Sequence, residues 1–165
     1  VGSKNKEEVF YTHDISTGIS GFNKVNLESV DSIDRSKIIS GDNQEFKNYQ
    51  NKLNHSRQVL IKRLDEYLVN ESITKIDFLK IDTQGFEPEV LSGLGERLGD
   101  VGVVLTELMF YDYYERSLSF SDIEQFLLPA GFKLFDISHI AKNPMNGRTD
   151  WIDVIYTNNK QLDVK

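Results

Sequence analysis

Ile76-Asp77-Phe78-Leu79-Lys80-Ile81-Asp82-Thr83-Gln84-Gly85-Phe86-Glu87-Pro88-Glu89-Val90-Leu91-Ser92-Gly93-Leu94 is the stretch whose reading decides the fold. Its first six residues are largely apolar rather than cleanly alternating, the pattern of a parallel strand covered on both faces. Thr83-Gln84-Gly85 makes the turn. Pro88 suits the first helical turn, where its missing amide hydrogen costs nothing, and Glu87 and Glu89 complement the positive end of the helix dipole. Val90, Leu91, Leu94 and Leu98 recur at helical spacing as the stripe to be buried, and Gly99 ends it. Val101 to Thr106 repeats the apolar strand pattern and ends on Glu107. Strand, helix and strand in this order predict a right-handed parallel crossover. Residues 76–82 and 101–107 are therefore expected side by side in the middle of a sheet.

Downstream, Ser121 and Glu124 have capping-box spacing for a helix that turns Ile123, Phe126 and Leu127 inward. That helix stops near Pro129-Ala130-Gly131. Phe132 to Ile137 and Trp151 to Thr157 read as strands with no helix between them, hence an antiparallel pair at one edge. The tail at 158–165 is polar and expected to fray. Upstream, residues 7–12 and Gln58 to Lys62 read as strands, and Leu64, Tyr67 and Leu68 repeat at helical spacing. Residues 31–56 are polar and mixed in charge. They read as a solvated insertion, with a lid as the alternative, and Phe46, Tyr49 and Leu53 suffice for one short amphipathic helix. From Arg57 the order is β-α-β-α-β-α-β-β, an α/β class with a mostly parallel sheet.

At 165 residues the chain is one domain's worth, and 39% hydrophobic with 27% charged residues is ordinary globular usage. Nineteen basic residues against 26 acidic ones leave a net charge of −7, which lacks the basic footprint of a nucleic-acid binder. With no cysteine there is no disulfide, thiolate metal site or thiol nucleophile, and a reducing, cytoplasmic location is expected. No apolar run is long enough to cross a membrane. His13, His55 and His139 lie far apart with no ligand spacing, so no metal site is expected.

Ligands of open α/β sheets bind beyond the carboxyl ends of the strands. Asp82 and Glu107 stand at two such ends, where a carboxylate can hold a hydroxyl or an ammonium, or take a proton from an attacking hydroxyl. Capping the strands toward solvent is the plainer reading of both. Lys80 shares a strand face with Asp82 and reads as its ion-pair partner, with a catalytic lysine as the alternative. Gly93, Gly95 and Gly99 imitate a dinucleotide fingerprint. They follow a helix already begun at Pro88 rather than opening one, so helix termination explains them better. Tyr111, Tyr113 and Tyr114 crowd the loop after Glu107, either as an aromatic wall for an acceptor or as packing.

Phe78 to Glu87, followed by Glu89-Val90-Leu91 and Gly93, resembles the hallmark segment of the FkbM family of S-adenosylmethionine-dependent methyltransferases. Arg63 to Leu68, Glu107, Tyr111, the helix from Ser121, Ala130 to Leu134 and Asp153 to Tyr156 are similar to its other elements, over about residues 1–157. The resemblance implies a class I methyltransferase (Rossmann-like) three-layer fold, with a seven-stranded, mostly parallel sheet and an antiparallel last hairpin. It implies methyl transfer to a hydroxyl of a sugar or small metabolite, hence a small-molecule or glycan acceptor as partner. Carried onto this sequence, it places Asp82, Thr83 and Gln84 at the cofactor, Asp82 and Glu107 in catalysis, and Tyr111 and Tyr114 at the substrate. The family's glycine-rich loop and ribose-binding acid have no counterpart here. The sequence resembles the family from near the end of its third strand, so an inactive fragment of a longer enzyme is the expectation. A non-catalytic small-molecule or partner-binding module on the same scaffold is the alternative. Without a first strand beside it, the 76–82 edge bears only Asp77 and Lys80 as gatekeepers and is expected to promote self-association, unless residues 57–62 cover it.

Overall fold

The computed structural model describes residues 1–14, 16–33, 48 and 51–161. The main elements among the described residues are, in order, β1 (Lys6–Thr12), β2 (His55–Ile61), α1 (Leu64–Asn70), β3 (Ile76–Ile81), α2 (Glu87–Leu94), β4 (Val101–Met109), α3 (Phe120–Leu127), β5 (Lys133–Lys142) and β6 (Thr149–Thr157). The strands form a four-stranded sheet ordered β3-β4-β6-β5 and a separate antiparallel pair, β1-β2. β3 and β4 run parallel, with Ile81 opposite Thr106. β6 lies antiparallel to β4, and β5 antiparallel to β6.

β4 and β6 alternate in burial because only one face of this sheet is fully covered. Val104, Thr106 and Leu108 of β4 and Ile152, Val154 and Tyr156 of β6 are buried. The apolar ones pack on Val90, Leu91 and Leu94 of α2 and on Ile123 and Leu127 of α3. Each such fully buried aliphatic side chain contributes about 1.5–3 kcal/mol. The opposite face carries Leu105 and Glu107 of β4 and Asp153 and Ile155 of β6, all half-buried. α2 begins at Glu87 with Pro88 in its first turn and gives way at Gly95 to a 3-10 turn running to Asp100. Those glycines thus end a helix. Gly93 serves packing: a Cβ there would sit 2.3 Å from the Gly2 carbonyl oxygen, where the N-terminal segment crosses the helix.

The parallel 76–81/101–106 pair and the antiparallel final pair stand as expected, and Lys80 does pair with Asp82. Several expectations are corrected. Among the described residues β3 is an edge strand, not a central one, and Phe78 is 56% exposed, so its apolar run is not covered on both faces. Only one of the three strand pairings in the four-stranded sheet is parallel, so this sheet is not mostly parallel. β2 pairs with β1 and does not cover the β3 edge. The box at the start of α3 is formed by Ser119 and Asp122, two residues earlier than the Ser121/Glu124 spacing: the Ser119 amide donates to the Asp122 carboxylate at 2.8 Å. Glu124 instead accepts from the Tyr156 hydroxyl at 3.2 Å.

The 31–56 segment is not wholly solvated. Ser32 and Leu53 are buried, and Asn54 brackets Val25 by accepting from its amide at 2.9 Å and donating to its carbonyl at 3.0 Å. The amphipathic helix expected around Phe46 and Tyr49 lies outside the described residues. Asn158, at the head of the expected frayed tail, is buried, and its amide donates to the Gly102 carbonyl at 2.8 Å. Among the described residues no helix is long and apolar enough to cross a membrane, and no group of three ligating side chains comes together.

Candidate functional site at the carboxyl ends of β3 and β4

The chain leaves β3 at Asp82 and must reverse within three residues to start α2. Gln84 (φ 56°) and Gly85 (φ 90°) make that reversal with two successive left-handed conformations. Glycine is required at the second: besides the positive φ, a Cβ on Gly85 would lie 2.7 Å from the Asn23 side-chain nitrogen. Asn23 is there because its Nδ2 donates to the Gln84 carbonyl at 3.0 Å, tying the Gly/Ser/Asn-rich segment to the turn. Glu87 closes the turn from below. Its Oε1 accepts from the Thr83 amide at 2.7 Å and the Thr83 hydroxyl at 3.1 Å. The residue is 1% exposed and burial raises its carboxyl, while Oε2 is buried without a hydrogen-bond partner.

This turn presents a chain of polar contacts. Lys80 Nζ donates to Asp82 Oδ2 at 2.9 Å. Gln84 Nε2 donates to Asp82 Oδ1 at 2.8 Å. The Tyr114 hydroxyl lies 2.8 Å from Gln84 Oε1 and 3.0 Å from the Ile19 carbonyl, and donates to them. A carboxylate accepts only, so the amide nitrogen of Gln84 must face Asp82 and its oxygen must face Tyr114. Both carboxylate oxygens of Asp82 thus have a donor, one from Lys80 and one from the buried Gln84 amide that Tyr114 holds in turn.

Glu107 completes the site. Parallel register places it beside Asp82, and antiparallel register places it directly opposite Asp153 of β6. Burial raises its carboxyl first, and Asp82, Asp153 and Glu87 then add repulsion that the Lys80 ammonium only partly offsets, so that it titrates at about 7. Lys80 is itself raised by its hydrogen bond to Asp82. A carboxyl that titrates near neutrality can both hold and release a proton under working conditions.

The six residues singled out in the sequence fall in different places. Asp82, Gln84 and Tyr114 are joined by hydrogen bonds, and Glu107 stands next to Asp82. Thr83 turns away to Glu87. Tyr111 is 7% exposed and stacks on Tyr113 (centroids 5.6 Å apart) beside Trp151, in a cluster with Val25, Leu53 and Met109. Sequence reasoning missed Asn23, Asp153 and the turn-closing role of Glu87. Asp153 carried one signal, an acid inside the apolar run Trp151 to Tyr156. Nothing local tied it to Glu107.

A family model, the Methyltransferase FkbM domain, matches residues 4–134. The chain belongs to this family. Comparisons with curated proteins and with solved structures each found no match. The span shared with the FkbM family runs from before β1 to the start of β5, so the turn, Asp82, Glu107 and Tyr114 lie inside it and Asp153 lies beyond it. Methyltransferases of this family ordinarily use S-adenosylmethionine, whose sulfonium is a cation. The charge here suits the cationic end of such a group: Asp82 and Asp153 both act electrostatically on Glu107, and Lys80, the cation beside them, is paired with Asp82.

Proposed function

We infer that this FkbM domain serves S-adenosylmethionine-dependent methylation of a hydroxyl on a sugar or small metabolite. The observation that carries the reading is the half-buried Glu107 carboxyl, titrating at about 7 beside Asp82 at the carboxyl end of a parallel strand pair. S-adenosylmethionine, when bound, supplies an electrophilic methyl group. The residues of this chain do the rest. Asp82, held by Lys80 and Gln84, attracts the cationic cofactor or accepts a hydrogen bond from the acceptor hydroxyl. Thr83 and Gln84 would help hold the cofactor from the turn. Glu107 in its ionised form takes the hydroxyl proton, so that the oxygen becomes nucleophilic. Tyr114 keeps Gln84, and through it Asp82, in one orientation, which matters because methyl transfer needs alignment more than it needs charge.

The test is transfer of an isotope-labelled methyl group from S-adenosylmethionine to a panel of polyhydroxyl acceptors by the protein that carries this domain. Asp82→Asn and Glu107→Gln should each lower turnover about 10²-fold or more, the usual loss when an acid–base group is removed. Undiminished turnover in both folded variants would return the two acids to a structural role. Acceptor binding without any methyl transfer would support a non-catalytic binding module instead.

A further inference from the structure

Glu107 and Asp153 are directly opposed residues of two antiparallel strands, and opposed residues project from the same sheet face. Two acids in that relationship repel each other and weaken the pairing. Both are half-buried, so water screens the repulsion incompletely. The nearest cation, Lys80, is already committed to Asp82 at 2.9 Å. The charged groups facing Glu107 are Lys80 and Asp82 from β3, Asp153 from β6 and Glu87 from the first turn of α2. One strand further out, His139 of β5 is opposite Asp153 and exposed. A polar, uncharged residue at 153 would preserve the strand and remove the repulsion.

We propose that Asp153 is a positioning residue that, from directly opposite on the neighbouring strand, sets how readily the Glu107 carboxyl gives up its proton. This rests on the methyl-transfer reading for its purpose but not for its test. Asp153 does not touch the reacting atoms. It raises the proton affinity of Glu107 by placing a second negative charge beside it, and Asp82 does the same from the other side. The row Asp82, Glu107, Asp153 runs across three neighbouring strands, so the central acid feels both flanking charges while each outer acid has only one such neighbour.

The experiment is a pH titration of the Glu107 side-chain carboxyl carbon by NMR in the 165-residue chain and in Asp153→Asn, with no cofactor or substrate present. The substitution keeps shape and removes charge, so the Glu107 midpoint should fall from about 7 by about one pH unit. Asp153→Glu, which restores the charge, should keep the midpoint near that of the parent, and it keeps the question answerable if the asparagine variant does not fold. A Glu107 midpoint unchanged in Asp153→Asn, or lowered equally by Asp153→Glu, overturns the proposal. In the methyl-transfer assay the acidic limb of the pH–rate profile should shift in the same direction as the midpoint. A shifted midpoint in a protein that transfers no methyl group supports the tuning by Asp153 and removes the catalytic reading of Glu107, so the two claims fail separately.

Discussion

The Tyr114 hydroxyl stands 2.8 Å from the side-chain oxygen of Gln84, thirty positions earlier in the chain, and both residues are buried. Through this contact the loop after β4 sets the direction of the turn after β3. Tyr114→Phe keeps the ring and removes the donor, leaving the Gln84 oxygen buried and unpaired. We expect a loss of about 1–3 kcal/mol in unfolding free energy by urea denaturation. Turnover should fall further than stability accounts for at temperatures where the variant is folded, since Gln84 no longer has a fixed orientation toward Asp82. A variant with parental stability and activity would mean the contact carries no weight.

Glu107 couples stability to pH. Its folded-state carboxyl titrates at about 7, above the unfolded value near 4.5. Between those values the folded state binds the proton and the unfolded state does not. The contribution is therefore fully present below the unfolded value and is lost as pH rises through the folded one, a change of about 3 kcal/mol. Glu107→Gln should flatten this slope and unfold at a higher temperature than the parent at pH 8. Calorimetric scans of both proteins from pH 4 to pH 8 check the sign as well as the size.

The turn at Gly85 admits no side chain. Gly85→Ala places a Cβ at φ 90° and within 2.7 Å of the Asn23 nitrogen. We expect a destabilisation of about 1–3 kcal/mol, from the backbone conformation and the displaced Asn23 together. Adding Asn23→Ala removes the clash but not the backbone strain, so the double variant should recover only part of the loss. Full recovery would assign the whole effect to the clash.

The outer edge of β3 has no strand beside it among the described residues. Amides of residues 76–81 that point away from β4 should exchange with deuterium faster than those of β4, which is paired on both sides. Such an edge, flanked by the exposed Phe78, is also where a second copy of the chain could add its own strand. We expect sedimentation velocity to show concentration-dependent association, and Phe78→Lys, which puts a charge at this exposed position of the edge strand, to weaken it. A monomer with uniformly slow exchange along β3 would show that this edge is not open in solution.

Local chemistry made much of this protein legible before any coordinates. The β-α-β unit was readable because apolar runs, Pro88 and the glycine stop are signals that act within a few residues of themselves. Lys80–Asp82 was readable because strand geometry puts positions two apart on one face. The hallmark segment was enough to name the family. The capping box of α3 was misplaced by two residues because Ser119, Ser121, Asp122 and Glu124 offer two overlapping serine–acid spacings, and only the position of the helix chooses between them.

Other features depend on which strand lies next to which. β3 is an edge because β2 pairs with β1, and its own residues carry no record of that choice. Tyr111 and Tyr114 look alike in sequence, yet one joins the Asp82 network and the other packs into an aromatic cluster, since a change of direction in the loop sends them to different neighbours. Asp153 is separated from Glu107 by more than forty positions and joins it only through the antiparallel register of β4 and β6. The sequence by itself determined the elements, the turn and the acids at the strand ends, because those follow from short-range sterics and hydrophobic spacing. Tertiary structure alone decided which acids share a face and how much water reaches them. The proton affinity of Glu107 is set by those two things, by charges and burial summed through space, and no order of residues along the chain encodes them locally.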